Sequence, residues 1–344
     1  LEFRRVLFRS PHALRNFIGD DGGSYQTVET GKLDPTTGGP GLAVMRTNAA
    51  ATLRRDEWIH FDQTVVKVGR QRLSAWADLV NAGLTYNVPN ALGKMVVQHT
   101  VQGDIDPAII SMDGLRQSDR NRVLYDVKNL PLPLIHKDFS FSARELAASR
   151  NGNTPLDTTH VEMATRKVAE EAEKLLLGLS TTPSYGGGTV YGYTNFPQRL
   201  TKSLQDPAGG SWTPSKTVDD VLAMKQQSIN AFHYGPWMLY VSPNWDTRLD
   251  SDYSSAKGDN TLRDRITKIK GITDIKTLDY LTGLQMILVS MTSDVVQAIT
   301  GMPITTVQWE SGGGMAINFK VMAIMVPRLR VDGNGATGIV HGVV

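Results

Sequence analysis

Residues 130–179 read LPLPLIHKDFSFSARELAASRNGNTPLDTTHVEMATRKVAEEAEKLLLGL, Leu130 to Leu179, and this stretch decides the fold. An extended apolar segment runs into a polar turn and then into one long amphipathic helix. Val161, Ala164, Val168, Ala172, Leu175, Leu176 and Leu179 recur at three- and four-residue steps, which places them on one helical face. Arg166, Lys167, Glu170, Glu171, Glu173 and Lys174 fill much of the opposite side. Asp157, Thr158 and Thr159 are N-cap candidates, and Glu162 stands where a capping-box acid reaches back. A helix from Asp157 to Leu179 would span roughly 35 Å. Fed by a strand and left through glycines, such a helix suggests a structural spine rather than a catalytic loop, the alternative being an ordinary surface helix packed on a core.

On the N-terminal side, residues 1–10 (LEFRRVLFRS) resemble translated adaptor sequence and are set outside the fold. Residues 11–51 read as an arm, rich in Gly, Thr, Pro and Asp from Asp20 to Asn48 and without clear periodicity. Thr52 is a cap candidate for a helix from Leu53 toward Val68. A second helical stretch runs from Leu73 to Val80, and Gly83 stops it. These helices occupy 52–94. Between Met95 and Val127, MVVQHTV and RVLYDV read as two strands joined by a long polar segment, QGDIDPAIISMDGLRQSDRN. A connection of that length in a compact domain points to work done outside it.

On the C-terminal side, Gly186, Gly187 and Gly188 loosen the chain after the spine, which closes the region 128–186. Residues 187–302 alternate helices and strands. Thr217 with Asp220 suggests a capping box for a helix through Phe232, Trp237–Val241 an apolar strand, and Ser242-Pro243 a helix start. Thr261–Lys270 reads as a mixed-charge helix and Gln285–Met291 as a buried strand. Residues 303–344 are strand-rich: Ile304–Trp309, then Met315–Val331, with Gly312, Gly313 and Gly314 as the turn.

The chain has 344 residues, 40% hydrophobic and 20% charged, as a globular protein requires. A net charge of +2 gives no concentrated basic face of the kind a DNA-binding domain shows. Without cysteine there are no disulfides, thiolate metal sites or cysteine nucleophiles. No window approaches the ~18–20 apolar residues that span a bilayer, so no membrane partner is expected. The seven histidines (His12, His60, His99, His136, His160, His233 and His341) are scattered and form no HExxH. There is no GxSxG elbow and no P-loop. The formal GxGxxG at Gly333, Gly335 and Gly338 has no room before Val344 for the helix that would bind phosphate. No catalytic constellation, cofactor site or metal site emerges, and an enzyme is not expected.

The order of elements resembles the shell proteins of the HK97 fold, the tailed-phage major capsid proteins and encapsulins. Three stretches carry the resemblance. The first is the opening segment, with LPL before the helix and RKVAE (Arg166–Glu170) within it. The second is YGYTNFP (Tyr191–Pro197). The third is FHYGPWMLYVSPNWDTRLDSDYSSAKGDNTLRDRITKIKGITDI (Phe232–Ile275). The resemblance implies an α+β HK97-like fold. Residues 95–127 would be the E-loop that reaches over a neighbouring subunit, and 128–186 the P-domain with its spine. Residues 187–302 would be the A-domain and 303–344 the strands returning to the P-domain. It also implies a homo-oligomer of pentamers and hexamers forming a closed shell. The first implication is a phage or prophage head enclosing DNA, a virion capsid assembled in the bacterial host cytoplasm. The alternative is an encapsulin, a bacterial cytoplasmic nanocompartment around a cargo enzyme. Some HK97-fold capsids cross-link through an E-loop lysine. Here no lysine lies between Lys94 and Lys128, which implies a non-covalent shell. Asp104, Asp106, Arg116, Asp119, Arg120 and Arg122 are then the expected inter-subunit ion-pairing residues.

Overall fold

The computed structural model describes residues 16–18, 24–33, 40–46, 63–69, 73–103, 108, 110, 112, 122–123, 125–145, 158–210, 212–253, 260–312, 315–333 and 335–344. They fall into two compact units. One comprises 1–68, 137–165 and 306–321, the other 69–136, 166–305 and 322–344.

In the first unit, β1 (Asn16–Ile18), β2 (Ser24–Leu33) and β3 (Pro40–Arg46) form an antiparallel sheet in chain order. The glycine- and proline-rich composition had pointed only to an extended arm. An aromatic cluster packs elsewhere in this unit. Phe139 of β7 (Ile135–Ser142) stacks on Phe319 at 5.1 Å, and Phe141 meets both Phe319 and His160 edge-on.

A helix, α1, covers 63–69, and α2 follows at Ser74–Asn81. The proposed cap Thr52 lies outside the described residues. The spine helix α3 runs Thr159–Leu177, 19 residues or about 28 Å, shorter than expected at both ends. Val161, Ala164, Val168, Ala172, Leu175 and Leu176 are buried on one face as the periodicity requires. Leu179 is not among them. Gly178 takes φ +83 and ends the helix, leaving Leu179 exposed.

This ending is a Schellman turn: Leu179 N–H donates to Lys174 C=O at 2.9 Å and Gly178 N–H to Leu175 C=O at 3.3 Å. The next two carbonyls are met by the YGYTNF segment. Tyr193 N–H donates to Leu176 C=O at 3.0 Å, and Thr194 gives both its N–H and its hydroxyl to Leu177 C=O. A Cβ at Gly192 would sit 2.1 Å from Gly178 N and 2.6 Å from Leu175 O, so only glycine allows this approach.

The sheet of five strands has the order β10 (Leu200–Ser203), β16 (Ile339–Val343), β13 (Gln285–Ser290), β11 (Trp237–Val241) and β12 (Ile272–Thr277). Its outer pairs are parallel and its inner pairs antiparallel. Helices α4 (Pro214–Asn230), α5 (Pro243–Leu249) and α6 (Leu262–Thr267) cover one face. Val221, Met224, Trp245 and Ile266 pack there against Leu239, Leu288 and Val340. Two expectations change. Residues 339–343 belong to this sheet and not with the other returning strands, because the largely buried run IVHGV fills the gap between β10 and β13. Helix α4 starts a turn early, at Pro214 in the first position. Thr217 therefore accepts from Trp212 Nε1 and Asp220 from Gln205 N–H, and neither caps the helix.

A four-stranded sheet has the order β4 (Thr85–Asn87), β14 (Val296–Ser311), β15 (Ala316–Leu329) and β7. Strand β14 begins eight residues before the expected Ile304 and runs through Gly301 and Pro303. Proline is tolerated because β4 pairs only with Ala298–Thr300, so the N–H lost at 303 is not needed by β4.

Candidate assembly surface

Strands β5 (Val96–Gln102) and β6 (Tyr125–Pro131) pair antiparallel from Val96 with Pro131 to Gln102 with Tyr125, and they form a sheet of two strands. Most of β6 is exposed, with Tyr125 64% and Val127 53% accessible. In the segment between the strands, Ile110 and Met112 are fully exposed. A two-stranded ribbon is marginal by itself, and apolar side chains in water at this density mark an interface.

The base of this arm is held firmly. Gly186 (φ +61) and Gly187 (φ +77) form the two-residue turn of a small hairpin, β8 (Ser184–Tyr185) and β9 (Gly188–Thr189). Asn129 of β6 donates its side-chain N–H to Gly186 C=O at 2.6 Å and accepts from Gln98 at 3.1 Å. A Cβ at Gly188 would lie 2.0 Å from Asn129 O, so the backbones touch there.

Beside the base lies a cleft of about 410 Å³, lined by His99, Lys128, Tyr191, Phe196, Leu329 and Arg330 among others. The described lining includes two full cations and no acid. Burial, followed by the charges of Arg328, Arg330 and Lys128, pushes His99 down to about 4. Its Nδ1 is buried without a hydrogen-bond partner. Arg328 is itself buried, lies over the Tyr86 ring at 5.2 Å, and leaves Nε unpartnered. Burial lowers its pKa, and Arg330 adds to the effect. On the rim, Lys128 pairs with the exposed Asp126 at 2.5 Å.

Asp104, Asp106, Arg116, Asp119 and Arg120 lie outside the described residues, and Arg122 is exposed. The cleft residues His99, Lys128 and Arg330, and Arg328 near His99, were not singled out as a site by sequence reading. Arg328 and Arg330 fall within the stretch Met315–Val331, which reads only as a strand, and nothing local says which strands they face.

Charge on the spine also differs from expectation. Glu170 is nearly buried between Arg166 and Lys167, both at 2.9 Å. Glu173 is fully buried and lies on the packed side. Its Oε1 accepts from Ala75 N–H at 2.7 Å and Ser74 Oγ at 3.1 Å, so it caps the N-terminus of α2 from another helix. Its Oε2 has no partner. Burial raises the Glu173 pKa to about 7 despite these donors. Trp76 Nε1 fixes the same junction by donating to Ala172 C=O at 2.9 Å. One turn on, Asp78 accepts from Lys276 and, at 3.1 Å, from Tyr240 OH, tying α2 to the sheet.

With this architecture described, comparison with known proteins defines the class: the fold is HK97-like. The virus-like particle from Pyrococcus furiosus superposes with a TM-score of 0.59 at 16% identity, over 84% of this chain and 99% of that one. The capsid of Myoviridae phage XM1 gives 0.60 at 9% identity, over 77% and 91%. In sequence, the type 1 encapsulin shell protein EncA of Myxococcus xanthus is 25% identical over 209 residues, 60% of this chain and 67% of EncA. Residues 48–342 match a family of unknown function (DUF6260), and the chain belongs to that family.

Proposed function

We propose that this protein is the repeating subunit of a closed icosahedral shell, non-enzymatic and assembled without covalent cross-links, and that the shell is a phage or prophage head enclosing DNA. The observation that carries the shell reading is the two-stranded arm. It projects exposed apolar side chains and unpaired strand edges from a rigidly anchored base, within a fold shared with shell proteins. In this reading 95–127 is the E-loop, which completes its pairing on a neighbouring subunit. The long connection within 95–127 and the N-terminal arm, for which the encapsulin resemblance offers no counterpart, favour a head in particular. A second reading, an encapsulin around a cargo enzyme, is favoured by the EncA relationship.

Expression of residues 11–344 followed by negative-stain imaging and light scattering tests the shell. Uniform hollow particles are expected, and a monomer at all salt and pH conditions would overturn it. Nuclease-protected DNA in particles from the native host supports the head, whereas a co-purifying enzyme in stoichiometric amount supports the compartment.

A further inference from the structure

No acid is among the described residues that line the cleft at the arm's base, and the one carboxylate paired with its cations, Asp126, sits exposed on the rim against Lys128. Lys128 and Arg330 line it, and Arg328 stands close enough to depress His99. Two buried nitrogens, His99 Nδ1 and Arg328 Nε, have no hydrogen-bond partner. Buried polar nitrogens are rarely left so, because each forfeits its hydration. Much of the rest of the lining is apolar or aromatic, including Val101, Tyr191, Phe196 and Leu329, with Asn129, Thr189 and Gln198 as its neutral polar members. The site therefore fits an extended segment that alternates carboxylates with apolar side chains.

The chain carries one such segment. Residues 103–115, GDIDPAIISMDGL, hold Asp104, Asp106 and Asp113 with no lysine or arginine, and all the arginines of the connection follow from Arg116 onward. Ile110 and Met112 within it are wholly exposed, so the subunit gives them no cover.

We infer that the cleft beside β5–β6 receives the acidic half of the arm, residues 103–115, of a second copy of this chain, its carboxylates meeting Lys128 and Arg330 and its apolar side chains the aromatic lining. The inference rests on the shell reading above and names the acceptor surface for the arm. Opposite charges on the two partners set register and suppress wrong pairings more than they add affinity. Because the rim of the site is open to water, the contact weakens with salt over the range where the Debye length falls below about 10 Å.

Charge reversal in both partners is the test. Lys128→Glu/Arg330→Glu is expected to lower particle yield about tenfold or more, with the unassembled chain keeping its melting temperature. Adding Asp104→Lys/Asp106→Lys to that variant is expected to restore particles. Particles from the cleft variant at wild-type yield would overturn the inference and leave the shell reading intact. So would failure of the combined variant to recover, or a fall in the melting temperature of the dilute unassembled chain, which would mean pairing within one subunit. Particles that assemble normally but lose bound nucleic acid would reassign the cleft to phosphate and also overturn it. Absence of particles from the wild-type chain would instead overturn the shell reading itself. Lys128→Gln/Arg330→Gln guards against misfolding and is expected to give an intermediate yield.

Discussion

At the scale of single residues, Glu173 carries the clearest consequence. An acid whose ordinary pKa of 4.5 rises to about 7 on folding keeps its proton in the native state while the unfolded chain has released it. Between those values the unfolded state binds fewer protons, so this residue's contribution to stability declines as pH rises from about 4.5 to 7. The full decline is about 3 kcal/mol at most. Glu173→Gln keeps an oxygen for Ala75 N–H and removes the titration. The unfolding free energy of the wild type relative to this variant is expected to fall as pH rises from about 5 to 8, since every other titration is common to both; a difference that does not change with pH would refute the assignment. His99 and His341 act in the other direction. Burial, then the nearby arginines, holds each at about 4, so their contribution is complete above about 6.5 and is lost as the medium acidifies toward 4. Gly192 is a purely steric case. Gly192→Ala places a methyl against Gly178 backbone atoms at 2.1 and 2.5 Å, and a loss of roughly 3 kcal/mol or more is expected in denaturant titrations. An alanine variant of wild-type stability would show that the close approach can be relaxed.

At the scale of elements, what the sequence makes legible depends on how local the cause is. The spine's apolar face follows from spacing alone, and strand β5 was legible from its residues; β6 lies three to four residues later than the expected 122–127, and Gly186–Gly187, read as loosening the chain, close a hairpin instead. The burial of Glu173 was not legible. Its neighbours are charged, and the donors that make burial tolerable sit some hundred residues away at Ser74 and Ala75. The cleft was hidden for the same reason, since its lining is drawn from residues near 99, 128, 190 and 330. Strand β14 was cut short in the reading because Gly301-Met302-Pro303 looks like a break, whereas Gly301 is there to let Ala91 pack: a Cβ would lie 2.3 Å from that of Ala91. The spine itself is open to a direct test. Ala169 is fully buried mid-helix, and Ala169→Pro removes a helical hydrogen bond and adds a ring clash, costing about 3 kcal/mol or more. Loss of all particles is expected by electron microscopy, and intact particles would sink the structural role given to this helix.

At the scale of the whole molecule, the arm and the body are separable. Gln102 pairs with Tyr125, so replacing residues 103–124 by Asn-Gly leaves a strand pair closed by a two-residue turn. This shortened chain is expected to melt within a few degrees of wild type yet to form no shells. Particles from it would show that assembly does not use the arm. The five-stranded sheet has a different consequence, one of timing. Leu200 of β10 lies beside Val340 of β16, a neighbour made 140 residues later, and β13 also waits for the same strand. During synthesis the arm leaves the ribosome long before residue 340 exists, while the body that must carry it still lacks the strand joining β10 to β13. Pairing across such a separation is slow. The interval keeps nascent chains from presenting a finished subunit, so under the proposed shell reading growth is expected to draw on released chains and not on those still being made.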